Sequence, residues 1–167
     1  MTSPYQSRRV QFTLNGRSVA SDVPLPTMLV ELLRDHLGHS GTKVSCDTQV
    51  CGACTVLVDG HPVSACTYLA IDVDDASVQS VEGLAAPDGS LSPLQQAFID
   101  EFALQCGFCT PGFLMMATAL LQENASPTRR EIVEYFEGNI CRCSGYRPIV
   151  QAVLSAAGHG AEGGHGE

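Results

Sequence analysis

The residues with the clearest chemical potential are the eight cysteines of this 167-residue chain, which fall into two sets of four. The first set comprises Cys46, Cys51, Cys54 and Cys66, and the second comprises Cys106, Cys109, Cys141 and Cys143. Four thiols brought together in this way indicate a metal centre or a pair of disulfides. Because residues 1–9 are polar and lack the apolar stretch of a signal peptide, we expect a cytoplasmic, reducing location, where metal ligation is favoured over disulfides.

The first set has the spacing Cys-x4-Cys-x2-Cys followed by one more distant cysteine, which is the spacing of plant-type 2Fe–2S clusters. A loop places three thiolates on so compact a centre only if it wraps closely, with its amides pointing inward as hydrogen-bond donors to sulfur. Gly41 and Gly52 permit that approach because they lack a side chain. Zinc also accepts four thiolates, but structural zinc sites typically pair Cys-x2–4-Cys units, and here the last cysteine is isolated. The spacing therefore favours an iron–sulfur cluster.

The second set has the spacing Cys-x2-Cys, a long interval, and Cys-x-Cys, which on its own leaves zinc as an alternative. Three features favour a cluster. Cys109 lies just before a predicted helix, whose positive N-terminal end stabilises thiolate and cluster charge. Arg142 and Arg147 flank the second pair and can offset further negative charge. Gly107 and Gly145 relieve crowding beside the ligands.

A small mixed sheet with a helix across it is predicted for the first half of the chain. Alternating apolar residues over 8–23, around the turn Asn15-Gly16, predict a β-hairpin. The further elements expected here are a helix from Thr27 to Leu37, a strand over Thr55–Asp59, a short strand over Val63–Leu69 that carries Cys66, and an edge strand over Ser77–Val81.

Four short packed helices are predicted for the second half, beyond a turn-rich boundary at Gly83–Ser90. The expected helices run from Ser92 to Leu104, from Thr110 to Gln122, from a capping box at Thr128 to Gly138, and from Pro148 to Ala157. The predicted domains are therefore residues 8–82 and 90–157, followed by a flexible tail over 158–167.

Charge and hydropathy argue against two classes of partner. The formal net charge of −9 argues against binding nucleic acid or an anionic membrane through charge. The longest apolar run, Phe113–Leu121, is too short to span a bilayer, which needs about 20 residues.

Four segments carry a resemblance to a known family, namely Gly41–Cys46, Cys51–Val56, Gln105–Gly112 and Asn139–Tyr146. In this order they closely resemble the iron–sulfur subunits of molybdenum hydroxylases, the family of xanthine oxidase, aldehyde oxidoreductases and bacterial carbon monoxide dehydrogenases. The resemblance covers roughly residues 8–157. It implies an α+β fold, in which an N-terminal plant-ferredoxin-like β-grasp domain precedes a C-terminal four-helix domain, each with one 2Fe–2S cluster.

The resemblance also implies a direction of electron flow. Electrons leave a molybdopterin centre in a large subunit, pass through the C-terminal cluster and then the N-terminal one, and reach another acceptor or, commonly, FAD in a medium subunit of a dimer of heterotrimers. Gln105 matches the family glutamine that hydrogen-bonds the pterin, and Cys143 matches a position beside it.

One departure and two alternatives complete this interpretation. Ser45 stands where many family members have glycine, which removes a position free to take a positive φ. A free-standing electron carrier would not need the C-terminal domain or Gln105. A zinc-stapled adaptor would not need the plant-type loop.

Overall fold

The computed structural model describes residues 5–158, and it places a five-stranded mixed sheet before a group of four helices. The strands are β1 (Ser7–Leu14), β2 (Arg17–Pro24), β3 (Thr55–Val58), β4 (His61–Ser64) and β5 (Ser77–Gln79). The α-helices are α1 (Leu29–Glu31), α2 (Pro93–Asp100), α3 (Thr110–Glu123), α4 (Arg129–Tyr135) and α5 (Tyr146–Ala156). Of the predicted tail, all but Gly158 lies outside the described residues.

The predicted hairpin is confirmed. Strands β1 and β2 pair antiparallel from Ser7 opposite Pro24 to Leu14 opposite Arg17. The two turn residues, Asn15 and Gly16, have φ values of 51° and 78°. Two consecutive positive φ values give the tight turn whose twist matches that of the flanking strands.

The strand predicted at the sheet edge lies instead in its centre. The sheet order is β2-β1-β5-β3-β4, with β5 parallel to β1 and antiparallel to β3. Only Val78 of this short strand is buried, and its neighbours Ser77 and Gln79 are polar. Side-chain polarity misled the prediction, because the position of β5 depends on its backbone pairing with two strands.

The predicted helix from Thr27 to Leu37 is also different in the structure. After the single turn of α1, the chain widens into a π-helical turn over Leu32–His36, and the Leu37 N–H donates to the Leu32 carbonyl at 3.0 Å. From this turn Arg34 donates to the carbonyl of Thr42 at 2.6 Å. The end of the helix is therefore tied to the beginning of the cysteine-bearing loop.

The strand predicted over Val63–Leu69 was wrong in its extent. Strand β4 ends at Ser64, and the Thr67 N–H donates to the Ser64 carbonyl at 3.1 Å, which closes a turn. Cys66 therefore lies in a turn after the strand. From this turn the Cys66 thiol interacts with the Cys54 thiol on the loop before β3.

All four predicted helices of the second half are present. Helices α2 and α4 begin at complete capping boxes, formed by Ser92 with Gln95 and by Thr128 with Glu131. Helix α2 ends at Asp100, earlier than predicted, because Phe102 adopts a φ of 52° and the Ala103 N–H donates to the Phe98 carbonyl at 2.9 Å. Helix α4 ends at Tyr135, before the predicted stop at Gly138.

Two hydrophobic cores lie under the two groups of elements, and a small third cluster joins them. The first core fills the space between the sheet and α1, and the second lies among α2, α3, α4 and α5. The joining cluster comprises Leu57 of β3 with Met115 and Ala119 of α3. Within residues 5–158, no helix combines the length and the apolar character needed to cross a membrane.

Candidate metal centres

Three cysteines of the first set lie on the loop that leads into β3, and the fourth follows β4. The Ala65 N–H donates to the Cys54 carbonyl at 3.3 Å, so the pairing of these strands brings Cys66 to the loop. Cys51, Cys54 and Cys66 are buried, while Cys46 is only partly covered. The structure therefore brings all four predicted residues of this set to one place.

The loop wraps the Cys46 sulfur with backbone donors. The N–H groups of Thr48, Val50 and Cys51 lie 3.5, 3.4 and 3.4 Å from the Cys46 Sγ. This confirms, at Cys46, that the loop amides point inward towards sulfur. Positive φ values occur at Asp47 (56°) and Gln49 (61°), not at Ser45. The serine that replaces a family glycine therefore occupies a position that needs no such freedom.

The second set is assembled from two segments that α4 separates. Cys106 and Cys109 precede and cap α3, while Cys141 and Cys143 lie on the loop before α5. Around Cys141, the Gly145 N–H donates to the sulfur at 3.4 Å and the Cys141 N–H donates to the Tyr146 hydroxyl at 2.9 Å. Cys106 is exposed and Cys141 is buried, with the other two between these extremes.

Within each set every thiol interacts most closely with one other thiol, and all eight cysteines are free of disulfides. The interacting pairs are Cys46 with Cys51, Cys54 with Cys66, Cys106 with Cys143, and Cys109 with Cys141. A 2Fe–2S centre takes two protein ligands on each of its irons, so this pairing suits it. As arranged, no group of three or more His, Cys, Asp or Glu side chains within residues 5–158 meets the geometry for holding a metal ion.

The pKa values repeat a pattern between the two sets. Backbone hydrogen bonds, the largest from the Thr48 N–H, lower the pKa of Cys46 to about 6, and burial raises that of Cys54 to about 12. Likewise a hydrogen bond from the backbone of Phe108, two residues further on, lowers the pKa of Cys106. Burial raises the pKa of Cys109 to about 12. Metal ligation needs thiolates, so loading either set releases protons and is favoured as the pH rises.

The second set opens onto a shallow surface depression, which no cysteine of the first set lines. Its lining includes Phe102, Leu104, Gln105, Cys106, Cys143 and Gly145. A Cβ added at Gly145 would lie 3.7 Å from the Cys141 Sγ and 3.8 Å from the Gln105 Nε2. The glycine thus leaves the space between the thiol and the exposed Gln105 amide open, and a larger side chain would fill it.

The segment before Cys141 contacts the loop of the first set along a line of hydrogen bonds, here called the seam, which the sequence did not predict. The Ile140 N–H donates to the Cys51 carbonyl at 2.9 Å, and the Asn139 Nδ2 donates to the Gly52 carbonyl at 3.3 Å. At the start of α3, a Cβ on Gly112 would collide with that same Gly52 carbonyl. Asn139 and Gly112 lie two and three positions from a cysteine in the sequence, but no spacing rule indicates a contact across so long an interval.

Models of two known domain families match consecutive parts of the chain. The model of a 2Fe–2S iron–sulfur cluster binding domain matches residues 12–85. A second model, also described as a 2Fe–2S binding domain, matches residues 80–154. Together they cover the sheet half and the helical half, which is the α+β arrangement expected from the resemblance.

Curated relatives match over nearly the whole chain. The small subunit of nicotine 6-hydroxylase from Paenarthrobacter nicotinovorans is 49% identical over 160 residues, which are 95% of this chain and 96% of the relative. Subunit gamma of caffeine dehydrogenase from Pseudomonas sp. (strain CBB1) is 44% identical over 90% of this chain and 92% of its own length.

Solved structures agree with these relatives. A chain of quinoline 2-oxidoreductase from Pseudomonas putida 86 superposes with a TM-score of 0.88 at 40% identity, covering 93% of this chain and 96% of that one. The chain therefore belongs to the small iron–sulfur subunits of the molybdenum hydroxylases, the family of xanthine oxidase, and serves as the electron-transfer subunit of such an oxidoreductase.

Proposed function

We propose that each cysteine set holds one 2Fe–2S cluster, the first within residues 8–82 and the second within residues 90–157. The observation that carries this assignment is the arrangement of thiols in two pairs within each set. When bound, the clusters supply one-electron chemistry. The chain supplies the thiolates, the N–H donors to the Cys46 and Cys141 sulfurs, and the burial that tunes reduction potential.

Electrons enter at the second set and leave at the first in this proposal. The second set is the more open of the two, because its Cys106 is exposed and the depression leads to it. Gln105 is exposed beside it, and its side-chain amide offers both a donor and an acceptor to the edge of a pterin ring. We assign Gln105, together with the neighbouring Cys143, to contact with the molybdopterin of a large subunit.

The surface around the depression supports a protein partner there. Its exposed apolar side chains are Phe102, Leu104, Phe108, Ile140 and Tyr146, of which Phe102 is 81% exposed. Phe102 and Leu104 line the depression, and the other three lie next to lining residues in the sequence. Exposed apolar side chains grouped in this way are typical of an interface. We propose that the large subunit covers it, that an FAD-bearing medium subunit accepts electrons from the first set, and that the complex is a cytoplasmic dimer of heterotrimers.

Reciprocal cysteine variants test the assignment of the clusters. The full chain, purified anaerobically with its partners, is expected to hold about four irons and to give two distinct EPR signals after reduction. Cys109→Ser should remove one signal, and Cys54→Ser should remove the other, each halving the iron content. A protein that carries stoichiometric zinc and no iron would contradict the proposal and favour a structural adaptor.

A glutamine pair tests the assignment of the pterin contact. Gln105→Ala should lower turnover in the assembled enzyme while iron content and both EPR signals remain as in the wild type. The matched control is Gln122→Ala, an exposed glutamine near the far end of α3, about 18 Å along the helix axis from its start. Equal turnover in both variants would contradict a role for Gln105 at the pterin.

A further inference from the structure

The loop of the first cysteine set is held partly by its own half of the chain and partly by the other half. The Gly52 carbonyl accepts from the Thr55 Oγ1 at 2.8 Å and from the Thr55 N–H at 3.3 Å. It also accepts from the Asn139 Nδ2 at 3.3 Å. The first two donors belong to the same loop and strand, so they fix its local shape. The third comes from the helical half, so it fixes where the loop lies relative to the second set.

The Asn139 side chain is committed to this contact. It is 5% exposed, and an amide so buried costs free energy unless it is hydrogen-bonded. Gly52 has a φ of 68°, and a Cβ at this position would meet the Asn139 side chain. Glycine is therefore required on one side of the contact, and a short side chain with a donor is required on the other.

The contact links residues that stand next to ligands of both sets. Gly52 directly follows Cys51, and Asn139 lies two positions before Cys141. Between them, the Ile140 N–H donates to the Cys51 carbonyl at 2.9 Å, which is a backbone bond that any residue at position 140 except proline could make. Of these two hydrogen bonds across the seam, only the one from the Asn139 side chain depends on which residue occupies the position.

We propose that Asn139 is a positioning residue that fixes the separation and relative orientation of the two cysteine sets, and thereby the electron transfer between them. Its side chain acts through the Gly52-Ala53 peptide, whose carbonyl accepts the hydrogen bond. Electron transfer weakens steeply as the donor and the acceptor move apart, so a small displacement of this loop has a large effect on rate. The inference rests on the proposed assignment of one 2Fe–2S cluster to each set.

The role of Asn139 is tested by two variants that remove different donors from the Gly52 carbonyl. Asn139→Ala removes the donor that crosses the seam, and Thr55→Val removes a donor within the first loop at nearly constant volume. In the assembled protein reduced by dithionite, the two centres are paramagnetic, and their mutual magnetic interaction splits the EPR signals at low temperature. Asn139→Ala is expected to keep both signals and the iron content but to reduce the splitting at least two-fold. Thr55→Val is expected to keep the wild-type splitting.

The outcomes separate this inference from the assignment on which it rests. A wild-type protein without two signals would overturn the cluster assignment itself. Two signals without splitting in the wild type, an unchanged splitting in Asn139→Ala, or an equal loss in Thr55→Val would overturn the role of Asn139. If Asn139→Ala loses iron, Asn139→Asp keeps the volume and replaces the donor with an acceptor. Reduced splitting with full iron supports the proposal, and loss of iron in both variants makes Asn139 a folding residue and overturns it.

Discussion

The two cysteine sets differ in how much of the chain is needed to build them. Three cysteines of the first set lie on one loop, whose own N–H groups surround the Cys46 sulfur, and the fourth follows the adjacent strand β4. The cysteines of the second set come from the start of α3 and from the loop before α5, with the whole of α4 between them. The first site is largely a local structure, whereas the second exists only when the helices are packed.

This difference is matched by a difference in exposure. Three of the four first-set cysteines are buried, whereas only Cys141 is buried in the second set. A site made by one loop closes on itself, and a site made between packed segments leaves an opening on one side. The open site is therefore the one that can face another subunit, while its integrity depends on the core beneath it.

The largest effect is expected from truncating Phe113, a side chain of the hydrophobic core beneath the second set. This side chain is fully buried, and its ring makes edge contacts with Phe136 at 5.1 Å and with Tyr146 at 6.3 Å. Phe113→Ala should destabilise the helical half by about 3–5 kcal/mol and release the second cluster, so that iron falls from about four to about two per chain. Iron analysis and EPR measure the result.

The reciprocal variant is Phe12→Ala in the core under the sheet. It should favour loss of the first cluster, because Phe12 belongs to the hydrophobic core that includes Cys54 and Cys66. Equal loss of both signals in each variant would show that the two halves unfold together, and the contrast between a local and an assembled site would then be wrong.

A smaller effect, shared by both sites, is expected from Gly112→Ala. The added methyl group would collide with the Gly52 carbonyl, so either α3 or the first loop must move. Overpacking of this kind costs about 1–3 kcal/mol. Because Gly112 is in the helical half and Gly52 is in the first loop, both EPR signals should shift.

Gly138→Ala is the matched control for Gly112→Ala. It also lies beside the seam, but a Cβ there has no neighbour within 4 Å, and its φ is not positive. A change in only the second signal of Gly112→Ala would show that the helical half alone absorbs the strain.

Local chemistry made much of this structure predictable. The turn at Asn15-Gly16, the capping boxes at Ser92 and Thr128, and the spacing of the first cysteines each depend on residues a few positions apart. Such signals can be read from the sequence without knowledge of the rest of the fold. They placed the hairpin and the starts of α2 and α4 correctly.

What the sequence did not predict depends on contacts between distant segments. The central position of β5 comes from pairing with β1 and β3, and the π-helical turn ties Arg34 to the Thr42 carbonyl. The bond from Asn139 to Gly52 spans the two halves. No spacing rule relates these partners to each other, so periodicity gives no indication of them.

The smallest effect is expected from Thr128→Ala. This variant should lower the stability of the helical half and leave the first site unchanged. Thr128 accepts from the Glu131 N–H at 3.3 Å, while its own N–H donates to the Glu131 carboxylate at 2.7 Å. Loss of this cap should cost about 1 kcal/mol, as measured by urea unfolding followed by circular dichroism. The control is Thr118→Ala within α3, where the hydroxyl bonds only the Leu114 carbonyl of the same helix at 2.8 Å and contributes little.

The cap variant also bears on the second cysteine set. Helix α4 leads the chain towards Cys141, so fraying at its start should speed loss of the second cluster to a chelator while the first is lost at the wild-type rate. The first loop is held by its own N–H groups and by the Glu82 carboxylate, which accepts from the Gly41 N–H at 2.7 Å, and none of these bonds involves α4. Faster loss of both clusters would mean that the seam through Asn139 transmits even this small destabilisation.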